Sequence, residues 1–158
     1  MIKLVAMSAE EFQTFLGWSI PDYAEAHVKA GRWNPNDAVE RSKAEHAQLL
    51  PNGVETPDNY LRTVYDDALG RQVGEVWYAL QKQDGWPQLF VYWIGIGKEF
   101  RQRGYATEVF RLLEAEAKRL GAARIALHVF GDNVGARALY EKLGYVTTNI
   151  VMAKDVRP

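Results

Sequence analysis

An apolar run, a basic turn and a long amphipathic helix follow one another between residues 90 and 120, and this succession restricts the fold more than any other stretch. Residues 90–96 (FVYWIGI) have the composition of a strand buried on both faces. The turn 101–106 (RQRGYA) precedes a helix predicted over 105–120. Unpaired N–H groups and the positive end of a helix dipole meet at such a turn, and Arg101 and Arg103 add charge suited to phosphate. The stretch therefore predicts an anion site.

Composition excludes several classes of protein. The chain has 158 residues and a net charge of −1, which suits one domain over residues 1–158 and argues against nucleic acid or an anionic membrane as a partner. No apolar run reaches the ~20 residues that cross a bilayer. Because cysteine is absent, disulfides, cysteine nucleophiles and thiolate metal sites are excluded, no metal site is predicted, and a cytoplasmic location is expected.

The first third of the chain is predicted to be helical after a short strand over residues 2–5. Ser8 and Glu11 form a capping-box pattern, so a helix is expected to start near Ala9. Pro21 interrupts the apolar pattern, and a second helix capped by Ser19 is predicted from there to residue 31. A third helix is predicted from a cap at Asn34 to about residue 50.

The rest of the chain predicts a sheet. Runs at 60–65, 72–80 and 88–96, joined by turns at 66–70 and 84–87, indicate an antiparallel meander. The helix over 105–120 then leads to a strand over 124–130, and that order implies a parallel crossover. A short helix capped by Asn133 and a last strand over 145–152 complete the prediction.

Two motifs in this half resemble the GNAT superfamily of acetyl-CoA-dependent N-acetyltransferases. The turn RQRGYA fits the family's Arg/Gln-x-x-Gly-x-Gly/Ala pyrophosphate turn. About 30 residues later, Asn133, Ala136, Leu139-Tyr140 and Gly144-Tyr145 follow the family's second pattern in order. The implied fold is α/β (α+β), with a mixed, mostly antiparallel sheet that is flanked by helices and splayed between its fourth and fifth strands.

The resemblance also implies a cofactor site for acetyl-CoA as the acyl donor. The strand end at Ile94 and Ile96 would face the pantetheine arm, and Asn133, Ala136 and Tyr140 would lie beside the cofactor, with Tyr140 near its sulfur. The pyrophosphate would lie on the turn formed by Arg101, Gln102, Arg103, Gly104, Tyr105, Ala106 and Thr107.

Transfer to an amine needs a base and is helped by an acid. Tyr140 is the candidate acid, because a phenol is protonated at neutral pH; its alternative role is packing on a short helix. The family's usual glutamate is missing from residues 90–96. Glu75 and His128 are the candidate bases; the alternatives are that Glu75 is a solvated or paired strand glutamate and that His128 is an ordinary sheet histidine.

The acceptor is expected to be a primary amine of a small molecule or peptide. Trp18, Tyr23 and Trp33 could form an aromatic wall for a cationic amine, or they could fasten the helices to the sheet. A non-catalytic acyl-CoA sensor is the alternative function, since the strand glutamate is missing. The sequence is compatible with a homodimer and does not name the acceptor.

Overall fold

The computed structural model describes residues 1–82 and 85–158 and divides into two compact units, Met1–His128 and Val129–Pro158. Asp84 of the predicted 84–87 turn lies outside the described residues. The second unit has one helix, α4 (Val134–Lys142). In order, the first unit contains β1 (Ile2–Ala6), α1 (Ala9–Lys29), α2 (Ala38–Leu49), a 3-10 turn (Gly53–Glu55), β2 (Asn59–Asp66), β3 (Arg71–Gln81), β4 (Gln88–Ile96), a second 3-10 turn (Lys98–Phe100), α3 (Tyr105–Arg119) and β5 (Arg124–Leu127).

The sheet confirms the predicted fold class. Its order is β1-β2-β3-β4-β5; neighbours from β1 to β4 are antiparallel, and β4 and β5 are parallel. The parallel ladder runs from Gln88↔Arg124 to Val91↔Leu127 and ends there, whereas β4 continues to Ile96. The sheet therefore opens between its fourth and fifth strands along residues 92–96.

Helices cover both faces of the sheet. Trp77 belongs to a buried cluster with Phe12 and Phe15 of α1. The next residue, Tyr78, points to the opposite face, where its hydroxyl donates to Glu116 of α3 over 3.0 Å. On α3 the buried stripe consists of Val109, Phe110, Leu113 and Ala117. These side chains form the core on the two faces of the sheet. Burying one large apolar side chain stabilises a fold by about 1.5–3 kcal/mol.

The predicted break at Pro21 is wrong, because α1 is one helix. Its start is as predicted: the Ser8 hydroxyl accepts from Glu11 N, and the Glu11 carboxylate accepts from Ser8 N. Packing on α2 supports the helix around the proline. The Ser42 hydroxyl donates to the Ile20 carbonyl over 2.7 Å, and Ser19, predicted to be a cap, is buried within the helix.

Histidine 46 fixes a second contact between α1 and α2. Its Nδ1 lies 2.8 Å from the Ser42 carbonyl, which can only accept, so Nδ1 carries the proton. Its Nε2 then accepts from the Ser19 hydroxyl at 3.3 Å. Burial lowers the pKa of His46, which keeps the ring neutral.

Three other predicted boundaries are wrong. Asn34 Oδ1 accepts from Asn36 N over 2.9 Å in a local turn, so α2 begins later, at Ala38. The strand predicted over 124–130 ends at Leu127, where its ladder with β4 stops. Residues 145–152 form no strand, and residues 146–158 are exposed. Among the described residues, no helix is both long and apolar enough to span a bilayer.

Candidate active site

The turn before α3 has the backbone geometry of an anion site. Gly104 is left-handed at φ 83° and offers no side chain to cap the helix, and Gln102 is left-handed at φ 60°. The N–H groups of Tyr105, Ala106 and Thr107 begin the helix and take no intrahelical partner of their own. An uncapped helix start attracts negative charge.

Three arginines lie in or beside this turn, and one of them, Arg71, also forms an ion pair with Glu99 at 3.9 Å. Arg101 donates from Nε to the Ile96 carbonyl over 3.0 Å, which ties the turn to the end of β4. The guanidinium groups of Arg103 and Arg71 lie 6.0 and 4.9 Å from the centre of the Phe100 ring. The sequence did not indicate a role for Arg71, because this residue lies about 30 positions before the turn, at the start of β3.

Tyr105, predicted to contact the cofactor, holds the turn in place through its hydroxyl. That hydroxyl donates to Asp66 Oδ2, a hydrogen bond that lowers the pKa of Asp66 and raises that of Tyr105. Asp66 Oδ1 accepts from Ala68 N and Leu69 N over 2.8 and 3.2 Å. The start of α3 is thus fastened to the β2–β3 hairpin turn.

Two glycines, Gly74 on β3 and Gly95 on β4, occupy positions near the end of β4 where a side chain has no room. A methyl group added at Gly74 would lie 2.2 Å from the Gly95 carbonyl oxygen, and one added at Gly95 would lie 2.9 Å from Trp93 Nε1. Ile94 and Ile96 lie on the segment of β4 past the parallel ladder, where β3 is the one strand that pairs with them among the described residues. Those two residues therefore border the opening of the sheet.

Glu75 is a buried carboxyl next to this segment. It is 9% exposed and lies in one ladder row with Thr63 of β2 and Gly95 of β4. Gln72 Nε2 donates to its Oε1 over 2.8 Å, while Oε2 has no hydrogen-bond partner among the described residues. Burial raises the pKa of Glu75 to about 7, and the Gln72 hydrogen bond lowers it by less. This carboxyl can therefore gain or lose a proton at neutral pH.

Two more buried polar atoms lie near Glu75. Thr63 Oγ1 and Trp93 Nε1 have no hydrogen-bond partner within the described ranges. Trp93 pairs across the ladder with Trp77, two residues along β3 from Glu75, so its side chain is on the same face of the sheet. Neither residue was predicted, since the sequence does not give the register that aligns them.

A cavity of about 190 Å³ opens against Glu75 under the first turns of α1. Its walls are Met7, Glu10, Glu11, Thr14, Phe15, Thr63, Gln72 and Glu75. We call it the acidic chamber, because its lining contains three carboxyl groups and no basic side chain.

The three aromatic residues predicted for the acceptor have different surroundings. Trp18 is 41% exposed and meets Trp93 edge-on, with ring centres 5.4 Å apart. Trp33 is 7% exposed and stacks on His27 at 3.9 Å, with Tyr23 edge-on to it at 5.6 Å. The contacts of Tyr23 and Trp33 therefore fit the alternative in which these rings pack within the fold.

His128 follows β5 rather than lying in it. Partial burial, and then the charge of Arg32, lower the pKa of His128. A ring that is neutral at pH 7 can accept a proton, so the surroundings of His128 are compatible with its predicted role as a base.

The remaining candidates belong to the second unit. Asn133 caps α4, because its Oδ1 accepts from Ala136 N over 3.3 Å. Tyr140 lies on α4 with its ring 6.0 Å from that of Tyr145. Burial raises the pKa of Tyr140, which keeps the phenol protonated at neutral pH.

Solved structures share this architecture. The crystal structure of the YycN protein from Bacillus subtilis is 35% identical, covers 100% of both chains and has a TM-score of 0.94. A structure from Pyrococcus furiosus, 23% identical, covers 99% of this chain and 100% of its own with a TM-score of 0.69, and so shares the fold. The fold shared with YycN, a putative acetyltransferase, and the uncapped turn before α3 define an acyltransferase.

The sequence relatives identify the family. The uncharacterized N-acetyltransferases YycN and YdgE of Bacillus subtilis are 37% and 34% identical to this chain. The alignments cover 98% and 95% of this chain, and 99% and 95% of theirs. A model of the acetyltransferase (GNAT) family matches residues 20–145. The chain belongs to the GNAT family of N-acetyltransferases.

Proposed function

We propose that this enzyme transfers the acetyl group of acetyl-CoA to a primary amine of a small molecule or peptide. The observation that best supports this proposal is the uncapped start of α3, where Gly104 is left-handed and the first helical N–H groups follow a basic turn. These donors suit a diphosphate, because backbone N–H groups and guanidinium groups both bind phosphate oxygens.

The chain's own residues fit the donor along its length. Arg101, Gln102, Arg103 and the N–H groups of residues 104–107 would hold the pyrophosphate. The pantetheine arm would follow Ile94 and Ile96, whose strand has no ladder with β5 at that level. Asn133, Ala136 and Tyr140 would border the donor by family resemblance. When bound, acetyl-CoA supplies an acetyl group activated as a thioester.

Glu75 is the proposed base. A primary ammonium has a pKa near ~10 and must lose a proton before its nitrogen can attack. The ionised Glu75 carboxylate would take that proton. His128, neutral at pH 7, is the second candidate for this role.

Tyr140 is the proposed acid. One C–N bond forms and one C–S bond breaks in the transfer, and the departing thiolate would take the phenol proton. The proton released as the amide forms then restores the phenol, directly or through water. Because the chain has no cysteine to act as a nucleophile, direct attack by the amine is favoured over a covalent enzyme intermediate.

Calorimetric titration with acetyl-CoA tests the donor site. Saturable binding is expected, weakened by Arg103→Ala and unchanged by Arg111→Ala, an exposed arginine further along α3. No binding at millimolar acetyl-CoA would contradict the proposal. Thiol release across a panel of amines then separates an enzyme from a sensor, since a sensor would bind acetyl-CoA and release no thiol with any amine.

A further inference from the structure

We propose that the acidic chamber binds the acceptor, and that this acceptor is a short aliphatic amine carrying a second cationic group. The inference rests on the proposed function and adds to it the class of substrate and the residues that select it.

Unused hydrogen-bonding capacity in the wall of the chamber indicates a ligand. Glu75 and Thr63 are 9% and 4% exposed, yet Glu75 Oε2 and Thr63 Oγ1 find no partner in the described part of the chain. A buried polar atom is costly to leave unpaired. An ammonium group has three donors and no acceptor, so one nitrogen could serve both oxygens.

The charge of the lining selects a cation. Glu10 and Glu11 belong to the first turn of α1 and line the chamber together with Glu75. Glu11 also accepts from Ser8 N over 2.8 Å, so part of its charge serves the helix start. Glu10 is therefore the carboxylate that we assign to the second cationic group.

The geometry sets the direction and length of the acceptor. Glu75 is the ladder neighbour of Gly95 on β4, and adjacent strands lie about 4.8 Å apart. The reacting nitrogen therefore belongs at the Glu75 end, one strand from the proposed pantetheine path. A chamber of about 190 Å³ corresponds to roughly six water volumes, which suits a chain of about that many non-hydrogen atoms.

A matched pair of amines tests the proposal. 1,5-Diaminopentane and pentylamine have the same carbon chain and differ in the second amino group. The enzyme is expected to favour the diamine about three- to fivefold in kcat/KM, measured by thiol release, because the exposed Glu10 carboxylate attracts the second charge with the strength of a surface ion pair. Calorimetric binding of the two amines to the donor-free protein should show the same preference, which gives a readout independent of turnover.

Two variants locate the selectivity. Glu10→Gln should remove most of the preference for the diamine. Glu114→Gln removes an equal charge from the exposed side of α3 and should leave the preference as it is. Thr63→Val, which keeps the side-chain size, should weaken binding of both amines, and its thermal denaturation checks that it is folded.

The outcomes separate this inference from the proposed function. Loss of acetyl-CoA binding would overturn both. Normal acetyl-CoA binding and amine turnover with equal preference for the two amines would overturn only the chamber assignment. The chamber would then hold solvent that carries protons away from Glu75. Equal loss of selectivity in Glu10→Gln and Glu114→Gln would also overturn the assignment, because it would indicate a general effect of charge.

Discussion

Replacing Glu75 with glutamine is expected to stabilise the protein at high pH while it removes activity. In the unfolded chain this carboxyl ionises at its ordinary pKa of 4.5, and in the fold burial raises the pKa to about 7. Above pH 7 the fold therefore holds a charge that it disfavours. The difference between the two pKa values corresponds to roughly 3 kcal/mol, and solvent reaching the chamber reduces this to about 2 kcal/mol.

The pH dependence follows from this shift. Between pH 4.5 and about 7 the folded state binds more protons than the unfolded state, so the stability due to Glu75 falls as pH rises and is constant above that range. Glu75→Gln should raise Tm by roughly 4–8 °C at pH 8.5. Most of that gain should disappear at pH 5, where the wild-type carboxyl is protonated in the fold.

Activity should change in the opposite direction. A positioned base contributes about 10²–10⁴-fold, so Glu75→Gln should lower kcat/KM within that range. Wild-type kcat/KM should rise with pH around a midpoint near 7, as Glu75 ionises. Differential scanning fluorimetry at the two pH values and a thiol-release profile measure both effects, with Glu114→Gln as the control. An equal Tm change at both pH values, or full activity in Glu75→Gln, would refute the reasoning.

Three further predictions concern the frame of the site. Gly74→Ala places a methyl group 2.2 Å from the Gly95 carbonyl oxygen, so overpacking should cost about 1–3 kcal/mol in urea denaturation; an unchanged midpoint would contradict the close strand contact. Burial lowers the pKa of His46, so the stability that this ring contributes should fall as pH drops through its ordinary pKa of 6.5. Wild type should therefore lose more stability than His46→Gln between pH 8 and pH 5; an equal loss in both proteins would show that His46 does not cause the pH dependence. Tyr105→Phe removes the hydrogen bond to Asp66, so KM for acetyl-CoA should rise severalfold with kcat nearly unchanged; steady-state kinetics that show a loss in kcat alone would argue against a role in holding the turn.

Local patterns in the sequence predicted much of the fold. β4 has the bounds expected from its apolar run, and α3 starts at the residue predicted from the basic turn. The capping box at Ser8 and Glu11 is formed. Each of these features depends on residues within a few positions of one another, which is the range over which side-chain spacing and capping act.

Features that depend on distant partners were not predicted. Nothing near Pro21 shows that Ser42 on another helix will support α1. The bond from Tyr105 to Asp66 joins residues 39 positions apart. The row formed by Thr63, Glu75 and Gly95 depends on the register of three strands, which a single sequence specifies only through its turns.

The four-pair ladder between β4 and β5 has a consequence for the order of folding. Strands β2, β3 and β4 follow one another along the chain, whereas β5 reaches β4 only after the crossover through α3. Contacts between distant residues form late, because the intervening loop must first be closed. On a translating ribosome the antiparallel strands are complete before β5 emerges. We therefore expect the nascent chain to hold a partly built sheet, and the opening at residues 92–96 to take shape last.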